Sequence, residues 1–245
     1  MQKLLYVVLL ATASLISTHA AAQWSPSASL DLGFGFGQMA LSQAALDGAR
    51  RLDDESNEAF ESEAQDWTEP EFEPSFVADP DLTRIVEERF ILFYGGRDPA
   101  HQAVMAKEVA SGRYHDHFRE LMGAYGLDPQ LDNFLDVMAT RYVKLWEIIH
   151  GKAVTPAQAG AVRAQLLAQF GDDFWMRRMD DAEKQELAET FVLHIAAADI
   201  AYTALMEGED PELISRYRTG VQENLLPDGP PLGQFEITSA GFVRP

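Results

Sequence analysis

Cysteine is absent from the 245 residues, which excludes disulfides, thiolate metal sites and cysteine nucleophiles together. Basic residues are scarce: 19 Lys and Arg stand against 39 Asp and Glu, a formal net charge of −20. An acidic surface repels nucleic acid phosphates and anionic lipid, so neither is expected as a partner. Basic proteins, cationic peptides and divalent cations stay open. Serine nucleophile motifs are also missing, with no G-x-S-x-G and no S-x-x-K. No alternating strand series or internal repeat appears either.

The N-terminus has the layout of a cleavable secretory signal peptide. Lys3 precedes an apolar stretch from Leu4 to Ile16, and Ala20-Ala21-Ala22 then stands before Gln23. The stretch falls short of the ~20 apolar residues a spanning helix needs. An uncleaved anchor is the competing reading, and no cysteine is present for a lipid-anchored form. Residues 1–22 are therefore expected to be removed, placing the mature protein in the periplasm or outside the cell without a stable membrane anchor. Loss of Lys3 takes its charge to −21. Without disulfides, an exported domain must be held together by core burial.

Composition divides the mature chain near residue 76. From Asp53 to Asp81 there are 12 acidic residues and no Lys or Arg, with Pro70 and Pro74 interrupting. Such a stretch buries too little apolar area to offset the entropy of ordering, so residues 23–75 read as a mostly disordered acidic arm. Met39 to Leu52 reads as an isolated amphipathic helix. Gly33-Phe34-Gly35-Phe36-Gly37 lacks the strand–turn–helix setting of a dinucleotide site.

Residues 76–227 read as an all-α bundle of six or seven helices. Asp79-Pro80, Asp98-Pro99 and Asp210-Pro211 supply an N-cap followed by proline in the first turn. A short helix covers about Tyr114 to Ala124. The central helix runs from about Pro129 to His150, with Leu131, Leu135, Met138, Tyr142, Leu145 and Ile149 on one face. Val137 and Ile148 lie opposite, which asks for neighbours on two sides. Thr155-Pro156-Ala157-Gln158 is a capping box opening a helix that carries Val162, Leu166, Phe170 and Phe174 inward. Another helix runs from Asp180 or Asp181 to about Met206. Pro227, Pro230 and Pro231 end helix formation, and residues 228–245 read as a Pro/Gly-rich extended tail with one short strand or packed segment near Phe235 to Val243.

The helical region resembles an uncharacterised bacterial family of exported all-helical domains, a domain of unknown function. The residues that carry the resemblance are Tyr125-Gly126-Leu127, Tyr142, Trp146-Glu147, Gly151, Thr155-Pro156-Ala157-Gln158, Val162-Arg163-Ala164-Gln165 and Gly241-Phe242-Val243. The resemblance spans about residues 76–243 and implies fold and export, with no activity attached.

Four residues are the candidates for any site: Glu147, His150, Arg163 and His194. Glu147-x-x-His150 has the i, i+3 spacing of carboxylate-bridged di-metal bundles, but such a site needs the motif twice and the chain has it once. His150 also suits a last helical turn, where the dipole favours a cation. His194 lies on an apolar stripe between Phe191 and Ala198 and reads as a hydrogen-bonded core residue. Arg163 is expected to pair with Glu147 across a helical hairpin. His115 and His117, two apart on a helix, point about 200° away from each other and read as surface residues. The acidic run from Asp53 to Glu63 is not an EF-hand, since Glu58 stands at the glycine position and Ala64 at the bidentate glutamate. No catalytic, cofactor or metal residue is therefore expected. The reading that follows is a soluble exported module working through contact with a basic or hydrophobic protein surface. A carboxylate- or His-dependent hydrolase and a small-ligand carrier are its rivals.

Overall fold

The structure, a computed structural model, describes residues 71–208, 210–226 and 230–245. The expected signal peptide, the expected helix at Met39 to Leu52, the glycine–aromatic string and the acidic stretch up to residue 70 lie outside the described residues.

Seven α-helices are present among the described residues: α1 (Pro80–Gly95), α2 (Pro99–Ala110), α3 (Arg113–Ala124), α4 (Phe134–His150), α5 (Pro156–Asp172), α6 (Asp181–Glu207) and α7 (Pro211–Leu225). Their starts are set locally. Asp79, Asp98 and Asp210 each accept a hydrogen bond from a first-turn amide, with proline at the helix start. Thr155 with Gln158 and Asp180 with Glu183 form complete capping boxes. Each such cap satisfies amides the helix itself leaves unpaired.

Helices α4 and α6 form the centre of the bundle. On α4 both Val137 and Ile148 are 0% exposed, so it is covered on two sides as its sequence asks. Helix α6 is long and apolar enough by composition to cross a membrane, but 61% of its apolar window is buried in the domain. It packs on α1, α3, α4 and α7, which accounts for that composition. Arg141 of α4 is buried too. Its Nη2 donates to the Leu225 carbonyl at the end of α7 (2.9 Å), and its guanidinium lies 4.2 Å from the centre of the Phe191 ring.

Two elements differ from expectation. Helix α4 begins at Phe134 rather than Pro129 because Asn133 is its N-cap, accepting from the Asp136 amide. Asn133 is also bridged to Ser75, the Phe134 amide donates to the Pro74 carbonyl (2.9 Å), and the Phe76 amide donates to the Asp132 carbonyl (3.0 Å). The 74–76 segment thus takes backbone groups that a longer helix would need, and Leu131 stays outside it. Helix α5 ends at Asp172, so Phe174 is not an inward residue and is 46% exposed. The Asp173 carboxylate accepts from the amides of Trp175 and Met176 and turns the chain into a 3-10 turn at Met176–Arg178.

The tail forms an antiparallel hairpin, β1 (Glu236–Thr238) and β2 (Gly241–Val243), with Ile237 opposite Phe242. Gln165 of α5 holds it from both sides, donating to the Phe242 carbonyl (3.2 Å) and accepting from the Phe242 amide (2.8 Å). Gln158 donates to the Ile237 carbonyl (2.8 Å), and Trp146 Nε1 donates to the Phe235 carbonyl (2.7 Å).

Candidate functional site

The expected pair of Glu147 and Arg163 does not form. Arg163 Nε donates instead to the carboxylate of Asp136, whose side chain is only 3% exposed. Eleven residues separate Asp136 from Glu147, about three helical turns, so the two carboxylates lie on nearly one face of α4 but roughly 16 Å apart along its axis. The face was legible from the 3.6-residue period; the level along the axis was not. Removing Arg163 would leave Asp136 buried without its cation. A double-mutant cycle is expected to give a coupling of about 1–3 kcal/mol between Arg163→Met and Asp136→Asn, and near zero between Arg163→Met and Glu147→Gln. The reverse ranking would contradict the assignment.

Glu147 has other partners. Its Oε2 accepts from the Tyr125 hydroxyl (2.6 Å) and lies 2.7 Å from Lys144 Nζ, while Oε1 accepts from the Val154 amide (2.7 Å). Lys144 Nζ is also 3.2 Å from Asp199 Oδ1, and Asp199 Oδ2 is 2.9 Å from His117 Nε2. One chain of contacts, Tyr125–Glu147–Lys144–Asp199–His117, therefore ties the end of α3, α4, α6 and the loop after α4. Burial opposes the charge on Lys144, but the two carboxylates outweigh it and hold its pKa above the usual lysine value. Burial likewise works against ionised Asp199, yet the bonds from His117 and the charge of Lys144 hold its carboxyl below the ordinary range. The Tyr125 hydroxyl is pushed far up by burial and by the neighbouring carboxylate, so it serves as a donor.

His150 faces away from this network despite its spacing from Glu147. Its ring stacks on Trp146 (4.3 Å between centroids) and Nε2 donates to the Leu232 carbonyl (3.1 Å). The Glu147–His150 pair therefore offers neither a general base with its partner nor half of a di-metal site. Among the described residues no group of three or more His, Asp or Glu side chains is placed to hold a metal ion.

His194 lies in the core against the rings of Phe90, Phe93 and Tyr94, with Nδ1 3.3 Å from the Tyr94 hydroxyl. Burial, and then the positive charge of Arg141, push its pKa down from 6.5 to about 4. The unfolded chain therefore takes up the proton first as pH falls. The contribution of neutral His194 is complete above about pH 6.5 and is lost progressively towards pH 4, where it has cost about 3 kcal/mol. Urea unfolding at pH 7 and pH 4 is expected to show a smaller acid loss in His194→Phe than in the parent, by about that amount. Parallel pH dependences would rule this out.

The network surfaces at His117, which is not a plain surface residue: its side chain is 27% exposed and bonded to Asp199. It borders an open cleft of about 560 Å³ between α3 and α6. Asp116 and Glu120 come from α3, and Ile200, Ala204 and Glu207 from α6. Asp116 is paired with Arg119 (2.9 Å), and Arg113 at the rim with Glu108 (3.2 Å). Glu120 of α3 and Glu207 at the end of α6 both line the cleft, and neither makes an ion pair or hydrogen bond among the described residues. The α6 C-terminus beside Glu207 adds the negative end of a helix dipole. Sequence reasoning missed Lys144 and Asp199. The available signal was Asp199 itself, one carboxylate in an otherwise apolar stretch of α6, since such a residue is seldom buried unless paired.

Residues 137–226, from the first turn of α4 to the end of α7, match a family of unknown function, DUF6683. The match is narrower than the 76–243 span of the resemblance. It includes Lys144, Glu147 and Asp199 and leaves out Tyr125 and His117. No curated protein and no solved structure matches the chain.

Proposed function

We propose that the protein is an exported soluble module that works by holding a basic protein surface, and that the α3–α6 cleft receives a lysine or arginine side chain of that partner. The observation that carries this reading is that two carboxylates with no ion-pair partner among the described residues, Glu120 and Glu207, line the cleft together with the apolar side chains of Ile200 and Ala204. A lysine or arginine stem is apolar and its head is cationic, so one side chain matches both parts of the cleft. Export rests on the signal-peptide pattern of residues 1–22, and the net charge of −20 favours a basic partner over an acidic one.

Catalysis has less support. Two hydroxyls line the cleft with His117, those of Ser111 and Thr203; neither is hydrogen-bonded to His117 among the described residues, and Ser111 donates to the Glu108 carbonyl (2.6 Å) within its own turn. Glu147 has both oxygens engaged inside the domain.

Titration with N-acetyl-lysine amide, followed by NMR at the methyl groups of Ile200 and Ala204, tests the reading. Saturable shifts are expected, at least about tenfold weaker for the uncharged norleucine analogue and for the Glu120→Gln/Glu207→Gln variant, which corresponds to one good ionic contact. Equal response to norleucine, or an unchanged response in the variant, would refute it.

A further inference from the structure

We infer that the turn after α5 is a second docking surface, independent of the cleft, built to take an apolar protein segment that carries lysine or arginine. Phe174 and Trp175 are 46% and 55% exposed, with their rings edge to face at 5.2 Å and 87°. Leu167, two turns earlier on α5, is exposed as well. The pair does not project from a loose loop. Asp173 Oδ1 accepts from the Trp175 amide (2.8 Å) and the Met176 amide (3.0 Å), the Arg177 amide donates to the Asp173 carbonyl (3.2 Å), and the Arg178 amide donates to the Trp175 carbonyl (3.0 Å). The Arg178 guanidinium lies 3.7 Å from the centre of the Phe174 ring. Large aromatic side chains already held in place lose little freedom on binding, which is what makes them effective anchors.

Charge selects the occupant. Residues 172–181 contain four Asp and two Arg, and Arg178 is already engaged with Phe174. The surroundings are thus net acidic, within a chain of net charge −20. An acidic partner would be repelled by both, whereas a cationic side chain gains from the carboxylates and from the ring of Trp175, the aromatic that binds cations best.

The test uses the full mature chain and a fluorescent synthetic dodecapeptide of leucine and lysine, followed by anisotropy. Two control peptides replace every lysine by glutamate or every leucine by serine. The Leu/Lys peptide is expected to bind at least tenfold tighter than either control and to bind Trp175→Ala at least tenfold more weakly than the parent, and this dependence on Trp175 is expected to persist in the Glu120→Gln/Glu207→Gln background, where the cleft no longer takes lysine. Trp175 is at the surface, so Trp175→Ala should keep its unfolding midpoint, and Phe174→Ala provides a second variant should it not. Undiminished binding to both aromatic variants, or preference for the glutamate peptide, would overturn the inference. Loss of binding only in the Glu120/Glu207 variant would assign the peptide to the cleft and also overturn it. Phosphatidylcholine vesicles retained by the parent but not by Trp175→Ala would make the surface a lipid contact. Self-association abolished by Trp175→Ala would make it an interface between copies. Either result would replace the proposed occupant.

Discussion

Lys144→Met is expected to destabilise the domain by about 3–5 kcal/mol at pH 7, the range for removing one partner of a buried charge pair. The Lys144 side chain is 12% exposed and stands between Glu147 (2.7 Å) and Asp199 (3.2 Å). Without it two carboxylates share a poorly hydrated site with no cation between them. Tyr125, the Val154 amide and His117 still donate to them, so their hydrogen bonds survive while the charge balance does not. The consequence depends on pH. In the parent the Asp199 carboxyl lies below its ordinary value, so its stabilisation is present above the unfolded carboxyl pKa and is lost as pH falls through the folded one. In the variant like charges raise the carboxyl pKa values instead, and proton uptake then relieves the folded state. The deficit relative to the parent should therefore shrink between pH 7 and pH 5. Urea denaturation at the two pH values reads both effects. A deficit under about 1 kcal/mol, or one that grows on acidification, would contradict the account.

Gly241→Ala is expected to cost about 2–4 kcal/mol, although it adds a single methyl group. Gly241 has φ +87°, which L residues rarely adopt, and an added Cβ would lie 2.5 Å from Gln165 Oε1 and 3.2 Å from the Ala161 carbonyl. The first contact is with the group that accepts from the Phe242 amide, so relieving it breaks the clamp that holds the hairpin on α5. The second is with helix backbone, which cannot move aside cheaply. Amide exchange over residues 236–243 should accelerate along with the fall in the unfolding midpoint. Gly160→Ala is the control within the same helix. Nothing lies within 4 Å of its added Cβ, and alanine in a helix interior is better than glycine by about 0.8–1.0 kcal/mol. A Gly241→Ala protein as stable as the parent would show that the hairpin contributes little.

Several residues that carry the family resemblance prove to be ties between distant segments. Tyr125 meets Glu147, Trp146 meets the Phe235 carbonyl, Gln158 meets the Ile237 carbonyl, and Gln165 clamps Phe242. Glu147 and Arg163 are therefore accounted for by architecture, as hydrogen-bonded or paired groups within the domain. The exposed chemistry lies at Glu120, Glu207, Phe174 and Trp175, none of which the sequence marked as a site; Phe174 read as an inward core residue. Carboxylates are too common in this chain for two of them to be noticed. Phe174 fits the apolar period of α5 by extrapolation, one turn after Phe170, but the helix ends at Asp172, before it.

Helix existence, the capped starts of α1, α2, α5, α6 and α7, and the central place of α4 were determined by the sequence alone, because each depends on neighbours within four residues. Asp79, Asp98, Thr155, Asp180 and Asp210 cap amides two or three positions ahead, and the two apolar faces of α4 follow from a 3.6-residue period. Tertiary structure alone decided which charges meet. Arg163 reaches Asp136 rather than Glu147, and Lys144 joins Glu147 to Asp199, a residue 55 positions further along. The periodicity of a helix specifies the angle at which a side chain leaves it. Which level of one helix lies beside which level of another is set by packing across the whole core, and ion pairs follow that axial register.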